Sequence, residues 1–147
     1  MKIAVACDHG GYSLKSTVIE AIKNAGHEVI DFGTDSPNRV DFPDFTKKAG
    51  RAIQEGTAER AILLCGSGIG VNIAANKMKG VYASVCHTTF AARQGVEHDN
   101  MNALCLGSRV IGEEVAKELV VAFLNANFFG VGNYKIRVEK IKIMENE

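Results

Sequence analysis

Strand-like runs and helix-period segments alternate along this chain almost without interruption, and that alternation narrows its possible folds more than any other feature. The runs Ile3–Cys7, Glu28–Phe32, Ala61–Cys65, Tyr82–Cys86 and Ala103–Leu106 have the length of strands, and each is followed by a helical pattern. In the first helical segment Leu14, Val18, Ala21, Ile22 and Ala25 recur at helical spacing, Lys15, Glu20 and Lys23 take the other face, and Gly26 marks the end. Such a series predicts an α/β fold: a doubly wound, Rossmann-like parallel sheet of five strands with helices on both faces. The 147 residues suit a single domain spanning 1–147, with no internal repeat, linker or low-complexity tract.

Two segments interrupt the alternation. The stretch Gly33–Asp44 holds both prolines among turn-forming residues and is long enough to border a site. Beyond an amphipathic segment at Glu113–Asn125, the hinge Phe129–Asn133 leads into a tail, so that residues 130–147 read as a C-terminal arm. In that tail Ile136, Val138, Ile141 and Ile143 alternate with Lys135, Arg137, Lys140 and Lys142, a pattern that fits either a short helix or an arm laid on a partner subunit.

Composition removes several classes of function. Lysine plus arginine equals aspartate plus glutamate at 17 each, so no overall charge draws the chain to nucleic acid or to an anionic membrane. The opening residues lack a signal-peptide layout and no apolar run approaches the roughly 20 residues of a membrane helix, which makes the cytoplasm the expected compartment. The four cysteines form no C-x-x-C pair, against a zinc ribbon or a thioredoxin-like centre. Cys7, Cys86 and Cys105 lie in or at the ends of apolar runs and read as small buried hydrophobes.

Cys65 is different. It stands where the apolar run ending at Leu64 gives way, through Gly66-Ser67-Gly68-Ile69-Gly70, to a helical pattern at Val71–Lys77. Open α/β sheets bind ligands at the carboxyl ends of their strands, and a helix N-terminus favours an anion, whether a bound oxyanion or a thiolate. Asp8-His9-Gly10-Gly11 follows the first strand in the same way, and Glu97-His98-Asp99-Asn100, reached through a helix and loop, is expected at the same edge. The glycines at 66, 68 and 70 do not have the G-x-G-x-x-G spacing of a dinucleotide turn, and no G-x-x-x-x-G-K-[ST] loop is present.

Cys65-Gly66-Ser67-Gly68-Ile69-Gly70 followed by Ala74-Ala75-Asn76-Lys77, together with Asp8-His9-Gly10-Gly11, resembles the type B ribose-5-phosphate isomerase and galactose-6-phosphate isomerase family. Val40-Asp41-Phe42-Pro43-Asp44, the segment from His98 to Asn102, Leu106–Gly112 and Arg137-Val138 extend the likeness over nearly the whole chain. The resemblance implies cofactor-independent, metal-free interconversion of an aldose phosphate and a ketose phosphate, as of ribose 5-phosphate in the pentose phosphate pathway. It makes Cys65 the base, with Ser67 and the backbone N–H groups of Gly66, Gly68 and Gly70 holding the enediolate oxygens. By the same likeness His98 opens the sugar ring, Asp8 positions a hydroxyl or the imidazole, and Asp99 faces the sugar. His9 and Arg109 bind the phosphate, joined by Arg137 from a neighbouring subunit, in a homodimer or a dimer of dimers.

The chain departs from the family pattern in three places. The usual arm, Gly-Gly-Arg-His-x-x-Arg-Val, reads Val131-Gly132-Asn133-Tyr134-Lys135-Ile136-Arg137-Val138, so one arginine has become Asn133. The usual His-Asn pair is His98-Asp99, which exchanges an amide for an acceptor-only carboxylate, and the usual tyrosine before the loop proline is Phe42. These changes leave the base and its loop intact and alter what touches the rest of the sugar. The alternative reading is a non-catalytic sugar-phosphate-binding protein, or one subunit of a hetero-oligomeric isomerase of the galactose-6-phosphate type.

Overall fold

The computed structural model describes residues Met1–Glu147. Five strands, β1 (Lys2–Cys7), β2 (Glu28–Asp31), β3 (Arg60–Cys65), β4 (Ala83–Val85) and β5 (Ala103–Gly107), form one parallel sheet in the order β2-β1-β3-β5-β4. Helices α1 (Tyr12–Asn24), α2 (Phe42–Gln54), α3 (Ile69–Asn76), α4 (Thr89–Asp99) and α5 (Glu113–Asn125) connect and follow the strands, and α6 (Gly132–Glu145) closes the chain. The doubly wound architecture expected from the alternation is present. No helix is long and apolar enough to cross a membrane.

The two faces of the sheet are built from residues of different size, because successive strand side chains point to opposite sides. Ile3, Val5, Ile62, Leu64, Leu104 and Leu106 pack against α1, α4 and α5 together with Phe123 and Leu119. Ala4, Ala6, Ala61, Ala103 and Cys105 face α2 and α3, where Ala49, Ala52 and Ala75 answer them. Small residues on both surfaces allow close approach of helix and sheet. Cys65 belongs to this second face, the one on which α3 begins.

Helix α1 ends as its sequence predicts. Gly26 takes φ +88°, its N–H donates to the Lys23 carbonyl at 3.0 Å, and the His27 N–H donates to Ile22 at 3.2 Å. Helix α2 begins at Phe42, inside the expected loop, with Pro43 in its first turn where a missing N–H costs nothing. The tail is helical, α6, and only its Val138 is buried.

Lys15 does not lie on a solvent face as helical spacing suggests. It is 8% exposed, and its ammonium donates to Asp31 Oδ2 at 2.9 Å, the Thr34 carbonyl at 2.8 Å and Asp35 Oδ1 at 3.3 Å. Burial alone would push this ammonium down. The hydrogen bonds and charges of Asp31 and Asp35 outweigh that cost, and its pKa is raised. The cation thereby ties α1 to the end of β2 and to the start of the loop that leads to α2. Replacing Lys15 with Met removes the ammonium donor and leaves the Thr34 carbonyl only the weak thiol donor of Cys7 at 3.8 Å. We expect a loss of about 1–3 kcal/mol, read as a lower urea midpoint at unchanged m value. Because the folded pKa lies above the unfolded one, the charge contribution is complete below about pH 10 and fades at higher pH, so the difference between variant and wild type shrinks in alkali.

Candidate active site

The strand order sends the chain away from β1 and β3 in opposite directions, creating a switch point between these neighbours, where open sheets form a crevice at the carboxyl ends. The register aligns Cys7 with Leu64 and Cys65 with Gly107, so the exits of β1, β3 and β5 lie side by side. Their backbones are stitched together beyond the ladder. The Asp8 N–H donates to the Leu64 carbonyl at 3.3 Å, the Ser108 N–H to Cys65 at 2.9 Å and the Arg109 N–H to Gly66 at 3.0 Å. The Ser108 hydroxyl donates to the Gly10 carbonyl.

Glycines allow these exits to touch. A methyl group on Gly11 would lie 2.5 Å from the Leu64 carbonyl carbon and oxygen, and one on Gly107 would lie 2.6 Å from the Ser67 carbonyl group. A methyl on Gly10 would lie 3.1 Å from the Gly66 nitrogen, so the Asp8 and Cys65 loops meet backbone to backbone. Asp8 is buried and its Oδ1 accepts the Gly11 N–H at 3.0 Å, which closes its own turn.

Gly68 caps α3 at φ +81°, a conformation that favours glycine, and its N–H points at Cys65 Sγ from 3.1 Å. The contact gives the Cys65 sulfur a backbone partner at the cap of α3. All four thiols are buried, and burial pushes Cys7 up to about 11, raises Cys86 and raises Cys105 well above its ordinary value. Ser67 is exposed, and its Oγ accepts the Ile69 N–H at 3.1 Å, which orients the hydroxyl beside the thiol. The guanidinium of Arg109 lies over Gly66, whose added methyl would be 3.4 Å from Arg109 Cδ and Nε. His9 Nδ1 accepts the Val40 N–H at 3.3 Å, which binds the loop before α2 to the same edge.

Asp8, His9, Cys65, Ser67 and Arg109 are therefore brought together, with Gly66, Gly68 and Gly70 supplying the backbone between them. His98 and Asp99 are not brought there by their own chain. Helix α4 leaves the sheet after β4 and its 11 residues rise about 16 Å, so these side chains emerge near the amino ends of the strands. There His98 packs on Tyr134, ring centroids 4.7 Å apart, and on Phe129 at 5.6 Å. Arg137 is exposed on α6 and forms no ion pair.

One residue of this edge was missed by sequence reasoning. His87 follows β4, and its Nε2 accepts the Gly107 N–H at 3.0 Å. Its position just after a strand was the available signal, the same one that singles out Asp8 and Cys65.

The fold is thus that of a doubly wound α/β protein whose strand exits gather a thiol, a carboxylate and a guanidinium at the edge where such sheets bind small ligands. The family model described as Ribose/Galactose Isomerase matches residues 3–141, and the chain belongs to that family. It is 42% identical to the ribose-5-phosphate isomerase B of Escherichia coli, over 98% of this chain and 96% of the relative. It is 38% identical to the D-erythrulose-4-phosphate isomerase of Pectobacterium atrosepticum, over 100% and 97%. Among solved structures, the ribose-5-phosphate isomerase B of Clostridium thermocellum superposes with a TM-score of 0.95 at 44% identity, covering 99% of this chain and 98% of that one. The type B ribose 5-phosphate isomerase of Trypanosoma cruzi gives 0.96 at 34% identity, covering 99% of each chain.

A substitution at Gly68 tests the sulfur's environment directly. Gly68→Ala forces a side chain into the left-handed region and against Leu106, withdrawing the N–H from Cys65. Alkylation by iodoacetamide at neutral pH, followed by peptide mass mapping, is expected to modify Cys65 first in the wild type and severalfold more slowly in Gly68→Ala.

Proposed function

We propose that this chain is an aldose–ketose isomerase of a sugar phosphate, interconverting ribose 5-phosphate and ribulose 5-phosphate with Cys65 as the proton-transferring base. The observation that carries this reading is the Gly68 N–H held 3.1 Å from Cys65 Sγ at the switch point of the sheet. The curated relatives named for isomerisation of a sugar phosphate support the same class of reaction.

In the open-chain aldose the Cys65 thiolate takes the proton from C2. The released electron pair forms the C1–C2 double bond, and the aldehyde oxygen becomes the oxyanion of an enediolate. A proton then passes from O2 to O1, and the Cys65 thiol returns its own proton to C1. The product has a carbonyl at C2 and a hydroxymethyl group at C1, and the thiolate is regenerated. Charge accumulates on two adjacent oxygens, so donors fixed in advance matter most. The Ser67 hydroxyl and the N–H groups of Gly66 and Gly70 fill that role, since those of Gly68 and Ile69 are spent on Cys65 Sγ and Ser67 Oγ, and each donor contributes about 3 kcal/mol. One group that both takes and returns the proton serves both directions of the reaction, and the Cys65 sulfur beside the Gly68 N–H is placed for it.

His9 and Arg109 hold the phosphate at the open side of the same edge, and Asp8 orients a sugar hydroxyl. His98, Asp99 and Arg137 reach the site from a second copy of the chain. The support for this assignment is their placement: His98 and Asp99 face away from Cys65 in their own chain, and Arg137 stands exposed without a partner. In that arrangement His98 opens the cyclic sugar before C2 becomes acidic.

The purified protein alone is expected to exchange the C2 hydrogen of ribose 5-phosphate with solvent deuterium, followed by NMR, and Cys65→Ala is expected to slow this about 10²–10⁴-fold. A panel of tetrose, pentose and hexose phosphates identifies the preferred sugar, since one relative is named for a four-carbon substrate. No exchange with any of them overturns the stand-alone enzyme and favours a subunit that needs a different partner chain. Arg137→Ala is expected to raise KM at least about tenfold, the equivalent of one lost charge-assisted contact, with kcat nearly unchanged. An unchanged KM shows that the arm does not reach the phosphate.

A further inference from the structure

The ladder between β4 and β5 ends before the site does. Its last pair is Val85 with Cys105, yet β5 continues to Gly107, where it pairs with Cys65 on its other side. The Ser108 N–H serves the β3 side, so the Gly107 N–H faces the side that β4 has already left. A backbone donor at that place requires an acceptor, and the His87 ring supplies it: Nε2 accepts the Gly107 N–H at 3.0 Å.

His87 is itself held from both directions. Cys86 before it is buried in the core with its Sγ 3.9 Å from Met101 Sδ, and Thr88 after it caps α4 by accepting the Ala91 N–H at 3.2 Å. The ring is half-buried, and burial pushes its pKa down, which keeps Nε2 free to accept. Gly107 in turn lies against the Ser67 backbone, its carbonyl accepts the Val110 and Ile111 N–H groups at 3.0 and 3.2 Å, and its neighbour Ser108 donates to Cys65.

We propose that His87 is a positioning residue of the Cys65 centre: its imidazole stands in for the missing strand on Gly107 and so fixes the backbone against which the Ser67 turn rests. The proposal rests on the reading of Cys65 and Ser67 as the proton-transfer centre. His87 touches no reacting atom; it acts through Gly107. Catalytic placement is steep in distance, so a shift of the Ser67 turn is felt in the chemical step more than in binding.

His87→Leu keeps the bulk and removes the acceptor, whereas His87→Gln offers a side-chain carbonyl to the same N–H. We expect His87→Leu to lower kcat about 10–100-fold with little change in KM, and His87→Gln to recover most of that loss. A kcat of His87→Leu within about twofold of wild type overturns the proposal, as does a loss that His87→Gln fails to repair. A measurement on the wild type keeps the idea testable if the leucine variant does not fold. Nitrogen-15 NMR is expected to show the neutral ring protonated on Nδ1, with a coupling from Nε2 to the Gly107 amide across the hydrogen bond, and a proton on Nε2 overturns the assignment. Cys65→Ala run alongside separates the two readings: loss of exchange there with normal kcat in His87→Leu removes this inference alone, whereas normal exchange in Cys65→Ala removes the base and this inference with it.

Discussion

Parallel strands that end together leave backbone groups without partners, and everything distinctive about this molecule follows from how those groups are satisfied. The pairing of Cys7 with Leu64 and of Cys65 with Gly107 brings three exits to one line. At that line Asp8, Ser108 and Arg109 donate their N–H groups to the neighbouring turns, and His87 lends a ring nitrogen where β4 has run out. An unpaired buried donor costs about 1–3 kcal/mol, so each of these contacts contributes to the stability of the edge. The same economy engages Cys65, because the free N–H at the start of α3 finds its acceptor in Cys65 Sγ.

Fold and site were legible to different depths. Strand alternation gave the sheet, since a run such as Ala61–Cys65, buried on both faces, has few other solutions. The strand-end rule found Asp8, His9 and Cys65 because their positions depend only on local chain and topology. Lys15 was misplaced for a physical reason: helical spacing reports which residues are apolar, not which cation is drawn inward by a carboxylate on the next strand, here Asp31. His98 was expected beside Cys65, but an 11-residue helix carries the chain back across the sheet, and no motif encodes that length. The tail was ambiguous because Ile136, Val138, Ile141 and Ile143 fit two periods, and only Val138 found a buried place in the helix that formed.

The departures from the family pattern fall into two physical groups. Asp99 and Asn133 lie on the parts of the chain that stand apart from their own Cys65, at the end of α4 and the start of α6. A change there leaves the Cys65 sulfur, its N–H donor and the Ser67 turn of the same chain untouched. Phe42 belongs with the other group, because it touches the α3 turn itself. A methyl on Gly70 would lie 2.8 Å from Phe42 Cζ, the ring carbon that bears the hydroxyl in tyrosine. A tyrosine here would carry its hydroxyl on the ring carbon that already faces Gly70 in the first turn of α3, whereas phenylalanine keeps the ring packed on Gly70 without that donor. On the proposed reading of Cys65 as the base, the polar reach of Phe42, Asp99 and Asn133 is where a sugar of different length or stereochemistry would be distinguished, because a site that lacks a hydrogen-bond partner selects against a hydroxyl that needs one.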